Sequence, residues 1–301
     1  MVSAELWKED AIRLSGALVS EYRDRLASNG LLQLAAERSS SGETGGAGHE
    51  ESDRHFAWMF GNSAGRSTYV CVDPVEALGD VSRIVRSSLL DGELLLVDVP
   101  CGSGAGALGL VCAIFEQRRA SLLPPTPLRV TVLAGDFSVR AREHFRDLAI
   151  RLQPVLLTQG IQLVLEDRHW DATDIASSTD FIDRACEIAV DMDRVFLLIN
   201  NFSGALGDSD LADLFRHFLS QFGGRIRAVP NSVCWIEPNS KAANKMLPAF
   251  VRWFGLILRR FSPPPTGMVA STTYQMVDPL TSTKYGTGVS VLKADQGGFP
   301  W

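Results

Sequence analysis

Apolar segments alternate with amphipathic segments from Leu94 onwards. The apolar segments are six to eight residues long, the length of strands, and read LLLVDV, LRVTVLAG, IQLVLE, RVFLLIN and SVCWIE. Between them lie segments such as ALGLVCAIFEQRR, in which apolar residues recur at the three- and four-residue spacing of one helix face. Near-continuously apolar strands separated by helices are typical of a parallel sheet covered on both faces. The pattern predicts an α/β fold.

Both ends of the chain add further segments. The spacing of Leu6, Leu14 and Leu26 predicts helix over the first ~36 residues, followed by a mobile loop at about 39–53 that lacks large apolar residues. An aromatic-rich segment, RHFAWMFGNSAGRSTYVCV, comes next; its end reads as extended, and a helix is predicted for about 74–89. After SVCWIE, the sequence predicts a long aromatic helix and two strand-like segments, MVASTTYQMV and TGVSVLKA. We therefore predict an N-terminal extension at 1–90 and a main domain at 91–301.

Composition limits the classes of function. The chain has 301 residues and a net charge of −6, which argues against general electrostatic binding of nucleic acid. The N-terminus lacks the apolar core of a signal peptide, and no apolar run reaches the roughly 20 residues of a membrane span. Its five cysteines form no CxxC pair, which indicates reduced thiols without a metal or disulfide framework. We expect a cytoplasmic protein without a membrane partner.

A glycine-rich turn follows the first apolar strand. Such turns lie at the carboxyl ends of strands in α/β sheets, where ligands approach the backbone and helix amides. The segment GAGALG matches a dinucleotide fingerprint, yet its first glycine comes six residues after Asp98. The acid that would hold a ribose, Asp136, comes 30 residues after Gly106, where about 20 is usual. Because RRASLLPPTP could be an insertion, a nicotinamide-dependent oxidoreductase stays open.

The chain from Leu94 onwards resembles the class I S-adenosylmethionine-dependent methyltransferases. LLLVDVPCGSGAG is similar to the first motif of that family, an apolar strand that ends in an acid before a glycine-rich turn, with proline at one position where many members have glycine. Acids after the second and third strands, in VLAGDFS and EDRHWDATDI, match positions that face the ribose and the adenine in the family. The resemblance implies a donor-binding set of Asp98, Pro100, Cys101, Gly102, Gly104, Gly106, Asp136, Phe137, Asp171, Ala172, Asn200 and Asn201.

The same resemblance implies the architecture and the cofactor. It implies a seven-stranded, mostly parallel sheet with helices on both faces and a closing antiparallel hairpin, to which this chain adds the N-terminal helical extension. The cofactor would be S-adenosyl-L-methionine. Asn200, Asn201 and Glu237 lie near strand ends, but the residues identify no catalytic base.

Two nucleophile motifs offer alternative functions. The segment DVPC is similar to the Pro-Cys loop of RNA cytosine methyltransferases, but that family carries it on the fourth strand, downstream of its donor motif. No such motif precedes Leu94, so we predict that Cys101 is a buried turn residue. The segment GNSAG matches the nucleophile elbow of serine hydrolases at Ser63, without the strand-to-helix context that an elbow needs. The five histidines share no metal-ligand spacing, and we expect no metal.

The aromatic segment before the main domain is the candidate acceptor site. We expect residues 55–69 to fold over the carboxyl ends of the strands and enclose a small organic acceptor, with Phe56, Trp58 and Tyr69 as its apolar walls. Asn62, Ser63 and Arg66 would add polar contacts. A peptide or protein acceptor stays open, as does a module that binds the donor without catalysis; a nucleic-acid acceptor is disfavoured by the net charge.

Overall fold

The computed structural model describes residues 1–37, 46, 48–202, 204, 209–226, 230–241, 243–249 and 267–295. The first part of the chain comprises two short strands and four helices: β1 (Trp7–Lys8), β2 (Ala11–Ile12), α1 (Gly16–Ser28), α2 (Leu32–Ala36), α3 (His49–Val72) and α4 (Asp80–Ser87). The second part alternates strands and helices: β3 (Gly92–Asp98), α5 (Ala105–Arg119), β4 (Leu128–Asp136), α6 (Val139–Leu157), β5 (Ile161–His169), α7 (Ile175–Ala189), β6 (Arg194–Asn200), α8 (Ser209–Arg225), β7 (Asn231–Pro238), β8 (Gly267–Val277) and β9 (Lys284–Asp295).

The strands form one sheet in the order β1-β2-β8-β9-β7-β6-β3-β4-β5. Strands β3 to β7 pair in parallel, and β9 lies antiparallel between β7 and β8. The predicted α/β fold with a closing antiparallel hairpin is therefore confirmed. Among the described residues the sheet has nine strands, not the seven predicted, because β2 pairs in parallel with β8 and β1 pairs with β2.

The extra strands also correct the N-terminal prediction of continuous helix. Leu6 and Leu14 are buried, but they flank a two-strand ribbon that turns at Glu9 and Asp10, both with positive φ, and α1 begins only at Gly16. A two-residue strand is too short to produce the alternating pattern of a strand. The apolar residues on the ribbon and on α1 together have the spacing of one helix face, which is why the sequence predicted a continuous helix.

Strand β3 marks the point at which the direction of the sheet reverses. The chain proceeds from β3 outward through β4 to β5, and then returns to place β6 on the other side of β3. Ligands of open α/β sheets bind at such a reversal, outside the carboxyl ends of the strands. Alternate residues of β3 contribute to two cores: Leu94 and Leu96 pack with α3, α5 and α6, and Leu95 and Val97 pack with α7 and α8.

Helix α3 corrects three boundaries of the sequence prediction. It spans 24 residues from His49, so the end of the predicted loop at 49–53 is helical, as is RSTYVCV, which reads as extended in the sequence. Residues 39–45 and 47 of that loop lie outside the described residues. The small residues of this segment lower its helix propensity, but they allow α3 and α5 to pack closely. A Cβ on Gly109 of α5, for example, would lie 2.6 Å from the Ala64 carbonyl oxygen of α3.

Two other helices differ in length from their predictions. Helix α4 spans Asp80–Ser87, inside the predicted range of 74–89, because the Asp73 carboxylate accepts hydrogen bonds from the N–H groups of Ala77, Leu78 and Gly79 and holds a turn there. Of the aromatic helix predicted after β7, residues 243–249 are helical, and residues 250–266 lie outside the described part of the chain.

A polar triad joins the N-terminal helices to α6. Arg25 Nε donates to Nδ1 of His144 at 3.1 Å, and Nε2 of the same ring lies 2.7 Å from Asp53 Oδ1. Because Nδ1 accepts, the ring is neutral and carries its proton on Nε2. Burial lowers the pKa of His144 from 6.5 to about 4, and the charges of Arg140 and Arg25 act in the same direction. The triad therefore requires an uncharged imidazole.

We predict that the unfolding free energy falls as the pH is lowered from 7 towards 4. The pKa of His144 is lower in the folded state, so the unfolded state binds the proton first, and the contribution of this ring is complete above pH 6.5 and lost below it. The shift corresponds to at most about 3 kcal/mol. Urea unfolding at several pH values measures the effect, and His144→Gln should reduce the pH dependence by close to one proton. His55, whose pKa is also lowered to about 4 by burial, keeps its own contribution in both proteins. An unchanged pH dependence in the variant would contradict the assignment.

Candidate functional site

The glycine turn between β3 and α5 lies at the reversal point of the sheet. The Cys101 N–H donates to the Gly135 carbonyl at 2.8 Å, and the Gly104 N–H donates to the Cys101 carbonyl at 2.9 Å. Gly104 has φ +79°, and a Cβ there would overlap the ring of Phe145. A side chain at this position is therefore excluded both by backbone conformation and by space. The turn directs the first amides of α5 towards the carboxyl edge of the sheet.

Asp98 is buried beneath this turn without a hydrogen-bond partner. The residue is 1% exposed, and neither carboxylate oxygen accepts a hydrogen bond. The Ala107 N–H of α5 lies close enough to lower the pKa of Asp98 without reaching hydrogen-bond geometry. Burial, aided by the charge of Asp136, outweighs that effect and raises the pKa of Asp98 well above its ordinary value. A buried acid of this kind requires either a proton or a cationic partner.

Asn200, at the end of β6, faces the same first turn of α5. Its Oδ1 is buried and accepts no hydrogen bond. A Cβ on Gly106 would lie 2.9 Å from Asn200 Nδ2 and 3.0 Å from a methyl of Leu198, so the glycine permits this close approach. The next residue, Asn201, adopts φ +60° and donates its N–H to the Ile236 carbonyl at 2.8 Å. Two unsatisfied acceptors thus flank the turn.

Asp136 connects the end of β4 to the glycine turn. Its Oδ2 accepts from the Gly102 N–H at 2.8 Å, and its Oδ1 accepts from the Ser138 N–H at 2.8 Å. Burial raises its pKa, and these two bonds oppose the rise. Each oxygen keeps a second lone pair for a hydroxyl donor. Phe137 follows on the surface, 42% exposed, and offers an aromatic face beside this carboxylate.

Asp171 and Ala172 lie in the loop after β5. The Asp171 Oδ1 accepts from both the N–H and the hydroxyl of Thr173, at 2.8 and 2.7 Å, and these bonds lower its pKa. Ala172 is partly buried against the core formed with α7 and α8. The loop is tied to the site through the Trp170 N–H, which donates to the Asp136 carbonyl at 3.2 Å. One oxygen of Asp171 therefore stabilises its own turn.

The thiol of Cys101 is held in its protonated form. It is buried in the turn, its Sγ lies 3.4 Å from the Gly102 carbonyl, and the adjacent Pro100 is partly exposed. Burial raises the pKa of Cys101 well above its ordinary value, and the negative charges of Asp136 and Asp98 raise it further. Because the thiolate is the nucleophilic form, the surroundings agree with the predicted role of a buried turn residue.

The residues predicted to contact an acceptor occupy three different environments. Phe56 is fully buried and stacks on His144 at 4.1 Å, inside the core of α1, α3 and α6. Trp58 donates its Nε1–H to the Leu34 carbonyl at 2.7 Å and packs against α2. Phe56 presents no face to a ligand, whereas Trp58 is partly buried and supports the extension through these contacts. Tyr69 is different: it lines a groove.

That groove, called here the hairpin groove, has a volume of about 770 Å³. Its lining includes Trp7, Tyr69, Pro238, Asn239, Tyr274 and Gln275, so it extends from the end of β7 over the β8–β9 hairpin. The groove does not lie over the glycine turn. Asn200 of β6 lies opposite Ile236 of β7, and Pro238, at one end of the groove, comes two residues after Ile236. With neighbouring strands about 5 Å apart and a rise of about 3.3 Å per residue, the Cα atoms of Pro238 and Asn200 are about 8 Å apart. No sequence signal indicates Tyr274 or Asn239, because they meet Tyr69 only through sheet pairing.

Other candidate chemistries find little support in the described part of the chain. Ser63 lies inside α3 and accepts from Arg66 at 3.1 Å, so it is not on the strand-to-helix elbow of a hydrolase. No group of three or more metal-ligating side chains occurs among the described residues. Within the same residues, no helix is long and apolar enough to cross a membrane.

Comparison with known proteins gives structural likenesses only. No family model and no curated protein matches the chain. Precorrin-6y C5,15-methyltransferase from Geobacter metallireducens is similar at 16% identity and a TM-score of 0.37, over 71% of this chain and 86% of that one. Precorrin 8w decarboxylase from Methanobacterium thermoautotrophicum is similar at 14% identity and a TM-score of 0.37, over 72% and 89%. A structure concerned with conversion of a disulfide into a thioacetal in echinomycin biosynthesis is similar at 18% identity and a TM-score of 0.36, over 71% and 79%. The contacts of the site therefore carry the functional assignment proposed below.

We predict that Cys101 resists alkylation in the folded protein. Its thiol is protonated at neutral pH, so iodoacetamide should label it at least tenfold more slowly than the same cysteine in urea, where a thiol of ordinary pKa reacts. Mass spectrometry of the tryptic peptides measures both rates. Rapid labelling of native Cys101 would show an activated thiolate and reopen the covalent mechanism.

Proposed function

We propose that this chain binds S-adenosyl-L-methionine and transfers its methyl group to a small organic acceptor. The observation that carries the proposal is the pair of unsatisfied acceptors at the glycine turn, Asp98 and Asn200. A ligand that supplies an ammonium group beside them would neutralise the buried acid and satisfy the amide oxygen. The amino group of the donor has this chemistry.

The same acid disfavours a dinucleotide. A pyrophosphate at the start of α5 would bring two negative charges towards Asp98, which is buried within the reach of the same helix amides. The approach of these charges would raise the pKa of Asp98 further, and no described basic side chain forms an ion pair with Asp98 to offset them. The arrangement is thus better suited to a ligand whose nearest charge is positive.

The remaining donor-binding roles follow from the contacts around the turn. Gly102, Gly104 and Gly106 give the ligand close access to the backbone, and Pro100 and Cys101 shape the turn. Asp136 uses its free lone pairs for the ribose hydroxyls, and Phe137 packs against the adenine. Asp171 and Ala172 border the adenine from the next loop, and Asn201 supports Asn200 from its left-handed position.

The bound donor supplies a methyl group on a sulfonium, whose sulfur keeps the C–S electron pair as the acceptor's lone pair forms the new bond. The protein has to align the acceptor with that methyl group and exclude water. The hairpin groove provides a place for the acceptor at the end of β7, where Pro238 lies two residues beyond the partner of Asn200, and Tyr69 is the predicted acceptor residue that lines it. The presence of this groove supports an enzyme over a module that only holds the donor.

We predict micromolar affinity for S-adenosylmethionine or S-adenosylhomocysteine, roughly −8 kcal/mol. Asp136→Asn should weaken binding about tenfold to a hundredfold, because the variant loses a charged acceptor for the ribose hydroxyls. Asp91→Asn is the matched control, since Asp91 pairs with Arg194 at the opposite, amino edge of the sheet. Isothermal calorimetry measures all three proteins. Binding of a nicotinamide dinucleotide without any response to the methyl donors would contradict the proposal, and donor binding without turnover of any acceptor pool would favour the non-catalytic module.

A further inference from the structure

One face of α3 is polar although it is partly or fully buried. His55, Asn62, Arg66 and Tyr69 follow one another at intervals of seven, four and three residues, which places them on the same side of the helix. This face packs towards the β8–β9 hairpin, where Tyr285 bonds to Asn62 and the Tyr69 ring stacks on Tyr274 at 4.1 Å. Burial of such a face is costly unless its polar groups are satisfied.

Arg66 is the cationic member of this face, and most of its donors are unsatisfied. It is 3% exposed, and its one hydrogen bond among the described residues runs from Nη2 to the Ser63 hydroxyl at 3.1 Å. Its Nε is buried without a partner, and no described carboxylate forms an ion pair with it. Burial lowers the pKa of Arg66, whereas Tyr274, Glu237 and Tyr285 lie close enough to oppose that effect. A guanidinium carries five donors, so most of its capacity is unused.

Glu237 is near but has other partners. Its Oε1 accepts from the Phe202 N–H at 2.7 Å and from the Trp235 indole N–H at 2.6 Å, which fixes the carboxylate at the end of β7. Glu237 therefore stabilises the charged form of Arg66 from a distance but does not form an ion pair with it.

The two stacked tyrosines connect Arg66 to the hairpin groove. Both rings line the groove, and both hydroxyls are buried without a hydrogen bond, although the Thr272 side chain lies close enough to Tyr69 to lower its pKa. Tyr274 lies near the guanidinium as well. Tyr274 thus links the Arg66 cation, which lies behind the groove lining, to a groove that can hold a small molecule, and Tyr69 adds a second hydroxyl along the same groove.

We propose that this cluster binds the carboxylate of an organic acid, and that the methyl acceptor is therefore a carboxylate-bearing molecule. A carboxylate matches the planar guanidinium and leaves one oxygen for a tyrosine hydroxyl. One negative charge balances the one buried cation, whereas a phosphate dianion would carry a second charge close to Glu237. The description of the ligand as acceptor rests on the proposed function; the carboxylate site itself does not.

The test uses benzoate and indole-3-acetate, each compared with its own carboxamide, in ligand-observed NMR titrations of the whole protein. We expect at least one acid to bind tenfold or more tightly than its amide. Arg66→Met should abolish that preference, and Tyr274→Phe should weaken acid binding about tenfold through loss of one hydrogen bond to a charged group. Arg83→Gln, which removes an exposed arginine from α4, should retain the full preference.

Thermal unfolding of the same proteins separates a ligand site from a structural arginine. A buried cation without a counterion destabilises the free protein, so Arg66→Met should melt no lower than the wild type. No preference for either acid in the wild type, a preference retained in Arg66→Met, or a melting temperature several degrees lower in that variant would each overturn the carboxylate site. The affinity for S-adenosylhomocysteine, measured in parallel, should be unchanged in Arg66→Met and in Tyr274→Phe. If the wild type binds an acid but does not bind S-adenosylhomocysteine, the methyl-transfer proposal is refuted and the carboxylate site stands.

Discussion

Asp98 is a carboxyl group that the fold withdraws from water and then leaves without a hydrogen bond. Its position follows from the sheet, because β3 is the central strand of the reversal and its last residue lies beneath the turn into α5. The glycines of that turn allow the chain to pass directly into α5, and the missing side chain of Gly106 leaves room for Asn200 of β6 beside the first turn of the helix. A site built in this way is incomplete until a positively charged or proton-donating group enters it.

Helix α3 extends this edge of the sheet into a wall. Its N-terminal end meets the start of α6, where Ser52 and Ser138 hydroxyls lie 2.6 Å apart, and its C-terminal half packs on α5 and the β8–β9 hairpin. The apolar side chains of α1 and α3 share one core with α5 and α6, and β2 continues the sheet beyond β8. The N-terminal segment therefore shares the hydrophobic core of the sheet, and Phe56 and Trp58 contribute to that packing. The polar face of α3 is what remains for a ligand.

The parts of the fold that could be predicted are those encoded by local pattern. Strands β3 to β7 and their helices follow from runs of apolar residues, and Asp98, Asp136 and Asn200 were identified because each ends such a strand. The ribbon of β1 and β2 could not be predicted, since two-residue strands exist only through their pairing with β8. Helix α3 was obscured because Gly61, Gly65 and its serines favour close packing over helix propensity. The meeting of Arg66, Tyr69 and Tyr274 depends on long-range contacts that no spacing in the sequence records.

The charge state of Asp98 is the most direct test of this account. Selective ¹³C labelling of aspartate, with Asp98→Asn to assign the signal, allows its carboxyl group to be titrated by NMR in the free protein and with S-adenosylhomocysteine. The account predicts a titration midpoint above that of an ordinary aspartate in the free protein, because burial disfavours the charged form. The midpoint should fall when the ligand's ammonium group binds beside it. An ordinary midpoint in the free protein, or one that ligand binding leaves unchanged, would contradict the central role of this buried acid.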